Sequence, residues 1–397
     1  MHAATPTGAV GENIATLRKT ADWSQAKLAR EAGISTSYLK KIEIGDRACR
    51  PAIAASIANA LGVTLALLYG QPYSETPVPP EKINALRSAV RRYAQPITDQ
   101  PYPEDVHELL ERATNLRAAT RYRELLDLLP DLVGQATAHA HSADDPAGWL
   151  LLVDVYGCAY TVAHRLGYPD LAELVTARQA WAAHQTWNPM AVAAAAWSEA
   201  GTFQSAGDYT GGLSVIEDAI TRMGSYQADS VTSAVALGSL HLRGVTLASR
   251  ARDATSTADH LRHARHLADQ LPADRGDILD HNLTFGAGNV DLHEMASWVE
   301  LEKPAKAVTM ADRLASASLP GLTPTRTGHL HIDSARARLA AGQRDEAVVA
   351  LFKANKVAPQ MALIHPMARE VTRVLVSLHR RSNPELSKLA RQMGMAE

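Results

Sequence analysis

The stretch SQAKLAREAGISTSYLKKIEIG, residues 24–45, combines two short helical patterns around one glycine. Ser24 and Ser35 each precede apolar residues at helical spacing, and serine is a preferred cap at the start of a helix. Gly33 lies between the two patterns, where a left-handed backbone conformation would end the first helix. The stretch therefore predicts two helices that meet across a tight turn, which is the helix-turn-helix arrangement.

The sequence on either side extends this pair to five helices. Ile14 and Leu17 have the spacing of an apolar helix face and precede the pair. Pro51 opens a further apolar helix after it, since proline is well tolerated at the first helical position. A short fifth helix is predicted near residues 64–69. Together these patterns predict a compact five-helix domain in residues 1–70.

The outer face of the third predicted helix carries groups that bind nucleic acids. It presents hydroxyl groups, an aromatic ring and two ammonium groups, from Thr36, Ser37, Tyr38, Lys40 and Lys41. Such groups donate hydrogen bonds to base edges and phosphates in a major groove. Residues 1–70 also carry eight basic and five acidic side chains, whereas the remainder of the chain is net acidic. The sequence therefore predicts a polyanionic partner for the N-terminal domain alone.

The stretch SQAKLAREAGISTSYLKKIEIGDR, followed by IANALGVTLALLYG, resembles the XRE family of Cro/cI-type DNA-binding domains. The resemblance covers residues 9–70 and implies binding to a double-stranded DNA operator. It implies a DNA-binding face formed by Gln25, Ser35, Thr36, Ser37, Tyr38, Lys40, Lys41, Arg47 and Arg50. It also implies a structural ion pair between Arg18 and Glu43. The alternative is a helical bundle without a DNA role, because some relatives use this fold for protein contacts.

A proline-rich segment separates this domain from the rest of the chain. Residues 71–80, QPYSETPVPP, contain four prolines, which favour an extended, semi-rigid chain and indicate a domain boundary. Residues 81–94 have the pattern of one amphipathic connecting helix. The linker is therefore predicted to occupy residues 71–103.

Residues 104–397 are predicted to be helical throughout, since helical patterns alternate with short breaks and no convincing strand occurs. Small residues recur at spacings that resemble the tetratricopeptide repeat, in which they let paired helices approach closely. One such window runs from Ala335 to Pro359, and another runs from Ala200 to Ala219. Five windows in series predict an α-solenoid of helical hairpins, and hence an all-α protein.

A solenoid of this kind has a concave groove lined by one face of the first helix in each hairpin. Alignment of the five windows places ten polar, cationic and aromatic residues on that face. They are Asp154, Thr161, His164, Trp197, Gln204, Arg243, Arg250, Asn289, His329 and Arg336. This set suits an extended peptide or a small polar metabolite. The competing interpretation is an ordinary solvated surface on a scaffold.

An XRE-type domain, a proline-rich hinge and tetratricopeptide-like repeats together resemble the RRNPP group of bacterial peptide-responsive regulators. The resemblance implies a homodimeric transcriptional regulator whose repeats sense a peptide or small-molecule effector, as in quorum sensing. The alternative is a DNA-tethered scaffold whose groove docks another protein.

Other function classes find little support in the sequence. It has no HExxH, P-loop, G-x-S-x-G or Rossmann glycine motif, so neither an enzyme nor a cofactor is predicted. Cys49 and Cys158 lack metal-site or disulfide-framework spacing, which predicts thiols in a reducing cytoplasm and no metal site. The N-terminus lacks a signal-peptide pattern, and no apolar run is long enough to predict a membrane span.

Overall fold

The computed structural model describes residues 9–73, 78–96, 103–143, 145–224, 231–272, 275–379 and 383–395. Within those residues the chain forms twenty-one helices and one two-stranded sheet. The first five helices are α1 (Val10–Thr20), α2 (Gln25–Glu31), α3 (Thr36–Glu43), α4 (Pro51–Leu61) and α5 (Leu65–Tyr69). They form the N-terminal domain, or head.

Serine caps and a glycine turn produce the helix-turn-helix within the head. The Ser24 hydroxyl accepts a hydrogen bond from the Lys27 amide at 3.1 Å, and the Ser35 hydroxyl accepts one from the Tyr38 amide at 3.2 Å. These caps satisfy amides that the first turn of a helix leaves without partners. Between the two helices Gly33 adopts a φ of +66°, the left-handed conformation predicted for it.

The remaining helices form the body. In chain order they are α6 (Pro80–Arg91), α7 (Pro103–Ala118), α8 (Tyr122–Ala143), α9 (Pro146–Arg165), α10 (Pro169–Gln185), α11 (Pro189–Ala206), α12 (Tyr209–Gly224), α13 (Val231–Arg250), α14 (Ala254–Ala268), α15 (Ala287–Glu300), α16 (Pro304–Ser316), α17 (Pro324–Ala340), α18 (Arg344–Val357), α19 (Pro359–Ile364), α20 (Pro366–Leu378) and α21 (Pro384–Gln392). Consecutive helices pack as hairpins, and α9, α11, α13, α15 and α17 also pack against one another in series. These five helices form an inner layer of the body.

The series of hairpins closes on its own beginning. The Thr325 hydroxyl of α17 donates to the carbonyl oxygens of Arg117 and Ala118, at the end of α7, at 3.2 and 3.0 Å. Arg165 Nη2 of α9 also lies 2.9 Å from His329 Nε2 of α17. The first and last inner helices therefore face each other across a central space.

The prediction that the body contains no strand was wrong. Strands β1 (Ile278–Asp280) and β2 (Leu283–Phe285) pair antiparallel across a two-residue turn. His281 and Asn282 form this turn with φ values of +42° and +62°, and positive values at both positions suit a two-residue hairpin. Strands of three residues are too short to give a recognisable alternation of apolar and polar residues.

The connecting helix belongs to the body. Ile83, Leu86 and Val90 of α6 are buried and join the apolar core beneath α8. Just after the head, Gln71 packs against Gly167 at the end of α9. The amphipathic pattern predicted the helix, whereas the cover over its apolar face depends on the distant α8.

The head packs on the body through polar and apolar contacts. The Cys49 amide donates to Glu370 Oε1 at 2.8 Å, and Arg50 Nη1 lies 2.7 Å from Glu302 Oε1. Gly207 ends α11 with a φ of +83°, and a side chain there would meet atoms of α4 and α5 at 3.0 Å or less. Head and body residues share one buried apolar cluster. Packing therefore fixes the position of the head against the inner helices.

Helices α9 and α13 have the length and apolar composition of membrane-spanning segments. However, 72% of the apolar window in each is buried inside the protein, which is typical of core helices. Their apolar residues therefore pack against neighbouring helices of the body.

Candidate functional site

Helix α3 presents most of the predicted DNA-binding face at the surface of the head. The exposed side chains are those of Ser35, Thr36, Ser37, Lys40, Lys41 and Arg47, and that of Tyr38 is half-buried. The guanidinium of Arg47 lies over the Tyr38 ring, 5.2 Å from its centroid. Hydroxyl groups and cations are therefore available together on one exposed face of the head.

Glu43 organises the inner border of this face. Arg18 donates from Nε to Glu43 Oε1 at 2.7 Å and from Nη2 to Oε2 at 2.9 Å, which is the pair implied by the resemblance. Gln25 Nε2 donates to the same Oε2 atom at 2.7 Å, so the amide of Gln25 is held against the head. The Arg18 and Glu43 side chains are only 10% and 5% exposed, and the pair ties α1 to α3.

Arg50 has a different partner from the phosphate predicted for it. Its guanidinium lies 2.7 Å from Glu302 of the body. Arg252 Nη2 also lies 3.2 Å from the same carboxylate oxygen. The structure therefore assigns Arg50 to the contact between head and body, and it leaves Arg47 as the exposed arginine of this loop.

A cavity of about 630 Å³ lies between the inner helices and the head. Nine of the ten predicted groove residues line it, namely Thr161, His164, Trp197, Gln204, Arg243, Arg250, Asn289, His329 and Arg336. The tenth, Asp154, is not part of this lining, and its Oδ2 atom lies 3.0 Å from Nδ1 of His281 in the β-turn. Alignment of the repeat windows thus selected residues that share one cavity, and ligand binding there stays a prediction.

The head forms part of the wall of this cavity. Thr64, Leu65 and Tyr69, at and within α5, line it together with Gln71. Thr64 also caps α5, because its hydroxyl accepts a hydrogen bond from the Leu67 amide at 3.2 Å. Helix α5 therefore borders the cavity, while α3 of the same domain presents its polar face to solvent.

The sequence-based prediction missed several charged or titratable residues of the cavity. They are Arg117, Arg165, His293, Arg326 and His365. Arg326 precedes the predicted His329 by three residues, so helical spacing alone places both on one face. Arg117 lies on α7, before the first repeat window, and no repeat position pointed to it.

Four cavity arginines form no ion pair with a carboxylate among the described residues. These unpaired arginines are Arg117, Arg165, Arg243 and Arg326. Arg243 donates to Gln204 Oε1 at 3.0 Å, and its guanidinium stacks 3.8 Å from the centroid of the Trp197 ring. The Nε atoms of Arg117 and Arg243 are buried without a hydrogen-bond partner. These arginines therefore leave positive charge and donor capacity facing the cavity.

Burial and mutual repulsion disfavour the charge on these groups. Burial and the neighbouring arginines lower the pKa of Arg326 to about 9 and that of Arg243 to about 10. Burial likewise lowers the pKa of Arg117. The guanidinium groups stay protonated at pH 7, but they do so in an environment that disfavours the charged form.

Two further arginines of the cavity, the paired arginines Arg250 and Arg336, have carboxylate partners. Arg336 donates from Nη2 to Glu300 Oε1 and from Nη1 to Asp333 Oδ1, both at 2.8 Å, and Arg250 Nε lies 3.6 Å from Glu300 Oε1. Burial opposes the charge of Arg336, but the two carboxylates raise its pKa above the ordinary value. Two cations and two carboxylates balance one another here.

Four histidines also line the cavity. They are His164, His293, His329 and His365. Burial, together with the positive charge of Arg165, lowers the pKa of His164, His329 and His365 well below the ordinary value. Burial and Arg326 lower the pKa of His293 to about 3. All four rings are therefore neutral at pH 7, and each offers one donor and one acceptor nitrogen.

Comparison with protein families identifies the head. Residues 14–68 match the helix-turn-helix family HTH_3, and the match covers all of α2, α3, α4 and most of α5. The chain therefore carries an XRE-type helix-turn-helix domain at its N-terminus, which is the DNA-binding domain of a regulator. The comparison with curated proteins gives no match.

Two solved structures of PrgX are similar to the chain over most of its length. The crystal structure of the PrgX/iCF10 complex is 9% identical, covers 94% of this chain and 96% of its own, and has a TM-score of 0.28. A structure of a PrgX mutant is 8% identical, covers 96% and 99%, and has a TM-score of 0.23. At these values the likeness carries no argument about the ligand or the assembly of this chain.

Proposed function

We propose that the protein is a cytoplasmic bacterial transcriptional regulator whose head reads an operator and whose body senses a peptide or small-molecule effector. The tetratricopeptide-like body also supplies the surface of a homodimer, so that two heads fit half-sites about one helical turn apart. The observation that carries the proposal is the shared cavity wall, because α5 of the head and the inner helices border the same space.

Because the head and the body share a cavity wall, a ligand in the cavity can contact both at once. An effector that contacts Leu65 on the head and Arg250 on the body prefers the head position in which both contacts form. That preference is required, since a ligand with equal affinity for two arrangements shifts neither. Effector binding then changes the placement of the two heads in the dimer and hence their fit to the operator.

The form of the cavity supports an effector more than docking of another protein. A folded partner needs a broad accessible surface of roughly 800 Å² on each side. A cavity of about 630 Å³ instead falls in the size range of sites for small ligands. The DNA-tethered scaffold is therefore the second candidate, and the mass measurement described below tests it.

Operator recognition is tested by a double change on α3. An operator is first selected from random DNA with the wild-type protein, and its affinity is measured by fluorescence anisotropy. We expect Thr36→Ala with Lys40→Ala to weaken binding about 10- to 100-fold, because one base-edge or backbone donor and one phosphate contact are lost. The matched control is Thr309→Ala with Lys306→Ala on α16, which removes the same exposed side chains from the body. Equal affinity of both variants would refute the assignment of α3 as the recognition helix.

Effector sensing is tested on protein purified from its own host by native mass spectrometry. We expect a dimer that carries one co-purifying peptide or metabolite per chain. A dimer that carries a second protein and no small ligand would favour the scaffold instead. Operator affinity measured before and after removal of the ligand then shows whether occupancy changes DNA binding.

A further inference from the structure

We propose that the cavity binds a small polyanion, whose phosphate or carboxylate groups are held by Arg117, Arg165, Arg243 and Arg326. This inference rests on the proposed effector-sensing function and names the chemistry of the effector. It starts from the distribution of charge, because these four cavity arginines have no carboxylate partner in the described parts of the chain.

An uncompensated cluster of half-buried cations in one cavity is unfavourable in the free protein. Each guanidinium loses hydration when it is enclosed, and like charges at close range repel one another more strongly than in water. Proteins normally pair such groups, as this cavity does for Arg336 with Glu300 and Asp333. The unpaired arginines therefore mark the part of the cavity where a ligand, and not the protein, supplies the negative charge.

The available hydrogen-bond donors match an oxyanion. A guanidinium presents a planar fork of N–H groups that fits a carboxylate or a phosphate through two parallel bonds. The Nε atoms of Arg117 and Arg243 are buried without partners among the described residues. His329 Nε2 accepts a hydrogen bond from Arg165 Nη2 at 2.9 Å, because a guanidinium can only donate, and this bond fixes the direction of that fork. Donors from α7, α9, α13 and α17 therefore converge on one space.

The remaining lining supplies a place for a less polar part of the ligand. Trp197 and Tyr160 lie beside Arg243, and Leu65 and Tyr69 close the cavity from the head. A ligand that places its anionic groups on the unpaired arginines can thus extend an organic portion toward α5. A small organic molecule with two or more phosphate or carboxylate groups meets both requirements.

The test uses anions of known structure on the full-length protein without DNA. Thermal unfolding is followed in pyrophosphate, in citrate and in sodium chloride at matched ionic strength, so that screening is the same in all three. We expect pyrophosphate or citrate to raise the midpoint temperature by several degrees relative to chloride, because a ligand of the folded state stabilises it. A larger shift with pyrophosphate identifies phosphate as the preferred group, and a larger shift with citrate identifies carboxylate.

Substitutions of single arginines test whether the anion binds in the cavity. We expect Arg326→Met to abolish at least half of the anion-dependent shift, whereas Arg262→Met on the outer face of α14 removes the same charge and keeps the shift. If Arg326→Met does not fold, Arg117→Met replaces it, and calorimetric titration of pyrophosphate into the wild-type protein gives the stoichiometry. No stabilisation by either anion beyond chloride, or an equal shift in Arg326→Met and Arg262→Met, overturns the inference.

These outcomes are distinct from those that test the proposed function. A protein that binds pyrophosphate at one site per chain but leaves operator affinity unchanged retains the anion site and contradicts effector sensing. A protein whose operator affinity responds to a neutral ligand, with no stabilisation by either anion, retains effector sensing and contradicts the anion site.

Discussion

The two groups of arginines that face the cavity differ in how their charge is compensated. Arg336 lies 2.8 Å from carboxylate oxygens of both Glu300 and Asp333, and those carboxylates raise its pKa. Arg326 has no such partner in the part of the chain that the structure describes, and burial with neighbouring arginines lowers its pKa to about 9. The charged form of arginine is thus stabilised at Arg336 and destabilised at Arg326, although both residues line the same cavity.

This contrast separates a cation that the protein itself neutralises from a cation that the proposed ligand would neutralise. A buried cation with its own carboxylates has its charge neutralised in the free protein. Removing one of those carboxylates therefore lowers the stability of the fold. A buried cation without a carboxylate has an uncompensated charge in the free protein. Removing that cation therefore raises the stability of the free protein. The following predictions test this distinction in order of decreasing effect.

The largest change in stability is expected when a carboxylate that neutralises the paired arginines is removed. Glu300→Gln leaves Arg336 and Arg250 with only one carboxylate, that of Asp333, so the free energy of unfolding should fall by about 3 kcal/mol. Urea denaturation followed by circular dichroism measures this change. Glu217→Gln, an exposed change on α12, is the control and should stay within about 0.5 kcal/mol of the wild type. A fall no larger than that of the control would show that the paired arginines do not depend on Glu300.

A smaller change in stability, of opposite sign, is expected when one of the unpaired arginines is replaced. Arg117→Met removes a half-buried charge whose Nε atom is fully buried but keeps an apolar stem of similar length, so the free energy of unfolding should rise by about 1 kcal/mol. The matched control is Arg112→Met, an exposed arginine of the same helix. Destabilisation by Arg117→Met, beyond that of Arg112→Met, would mean that Arg117 has a stabilising partner in the free protein.

The smallest effect concerns pH. The pKa of His365 is lowered in the folded protein by burial and by nearby arginines, so below pH 6.5 the unfolded chain binds more protons than the folded one. Stability is therefore lost as the pH falls, and one such histidine accounts for a loss of about 0.7 kcal/mol between pH 7 and pH 6.

Replacing His365 separates its contribution to the pH dependence of stability from that of the other titratable groups. We expect the loss of stability between pH 7 and pH 6 to be smaller by about 0.7 kcal/mol in His365→Gln than in the wild type. The control is His266→Gln, the same substitution at an exposed position on α14. Identical pH profiles for His365→Gln and the wild type would show that folding does not lower the pKa of His365.

The head could be predicted from sequence because its signals are local. Ser24, Gly33 and Ser35 lie within twelve residues, and each acts on its own turn of helix. The exposed residues of α3 follow from the same helical period. Arg50 is the exception, since its partner Glu302 is about 250 residues away in the chain and no local pattern reports it.

The cavity could be predicted only in part. Repeat spacing placed nine of the lining residues on one face, because each belongs to the first helix of a hairpin. The closure of the series is a tertiary property, and it brings Arg117 of α7 beside Thr325 of α17. The positive character of the cavity arises from this closure, so it was not visible in any single window of sequence.

The contact of α5 with the cavity has a consequence for how such a protein can be rebuilt or diversified. Residues on α3 touch solvent, so under the proposed function a new operator preference could be introduced there without altering the cavity. Thr64, Leu65 and Tyr69 belong to the same domain but complete the cavity. A head exchanged whole from another regulator would bring a new operator preference together with a foreign cavity wall. Under that proposal, grafting α3 alone would separate the two properties, and the boundary between the exchangeable parts would lie within the head instead of at the linker.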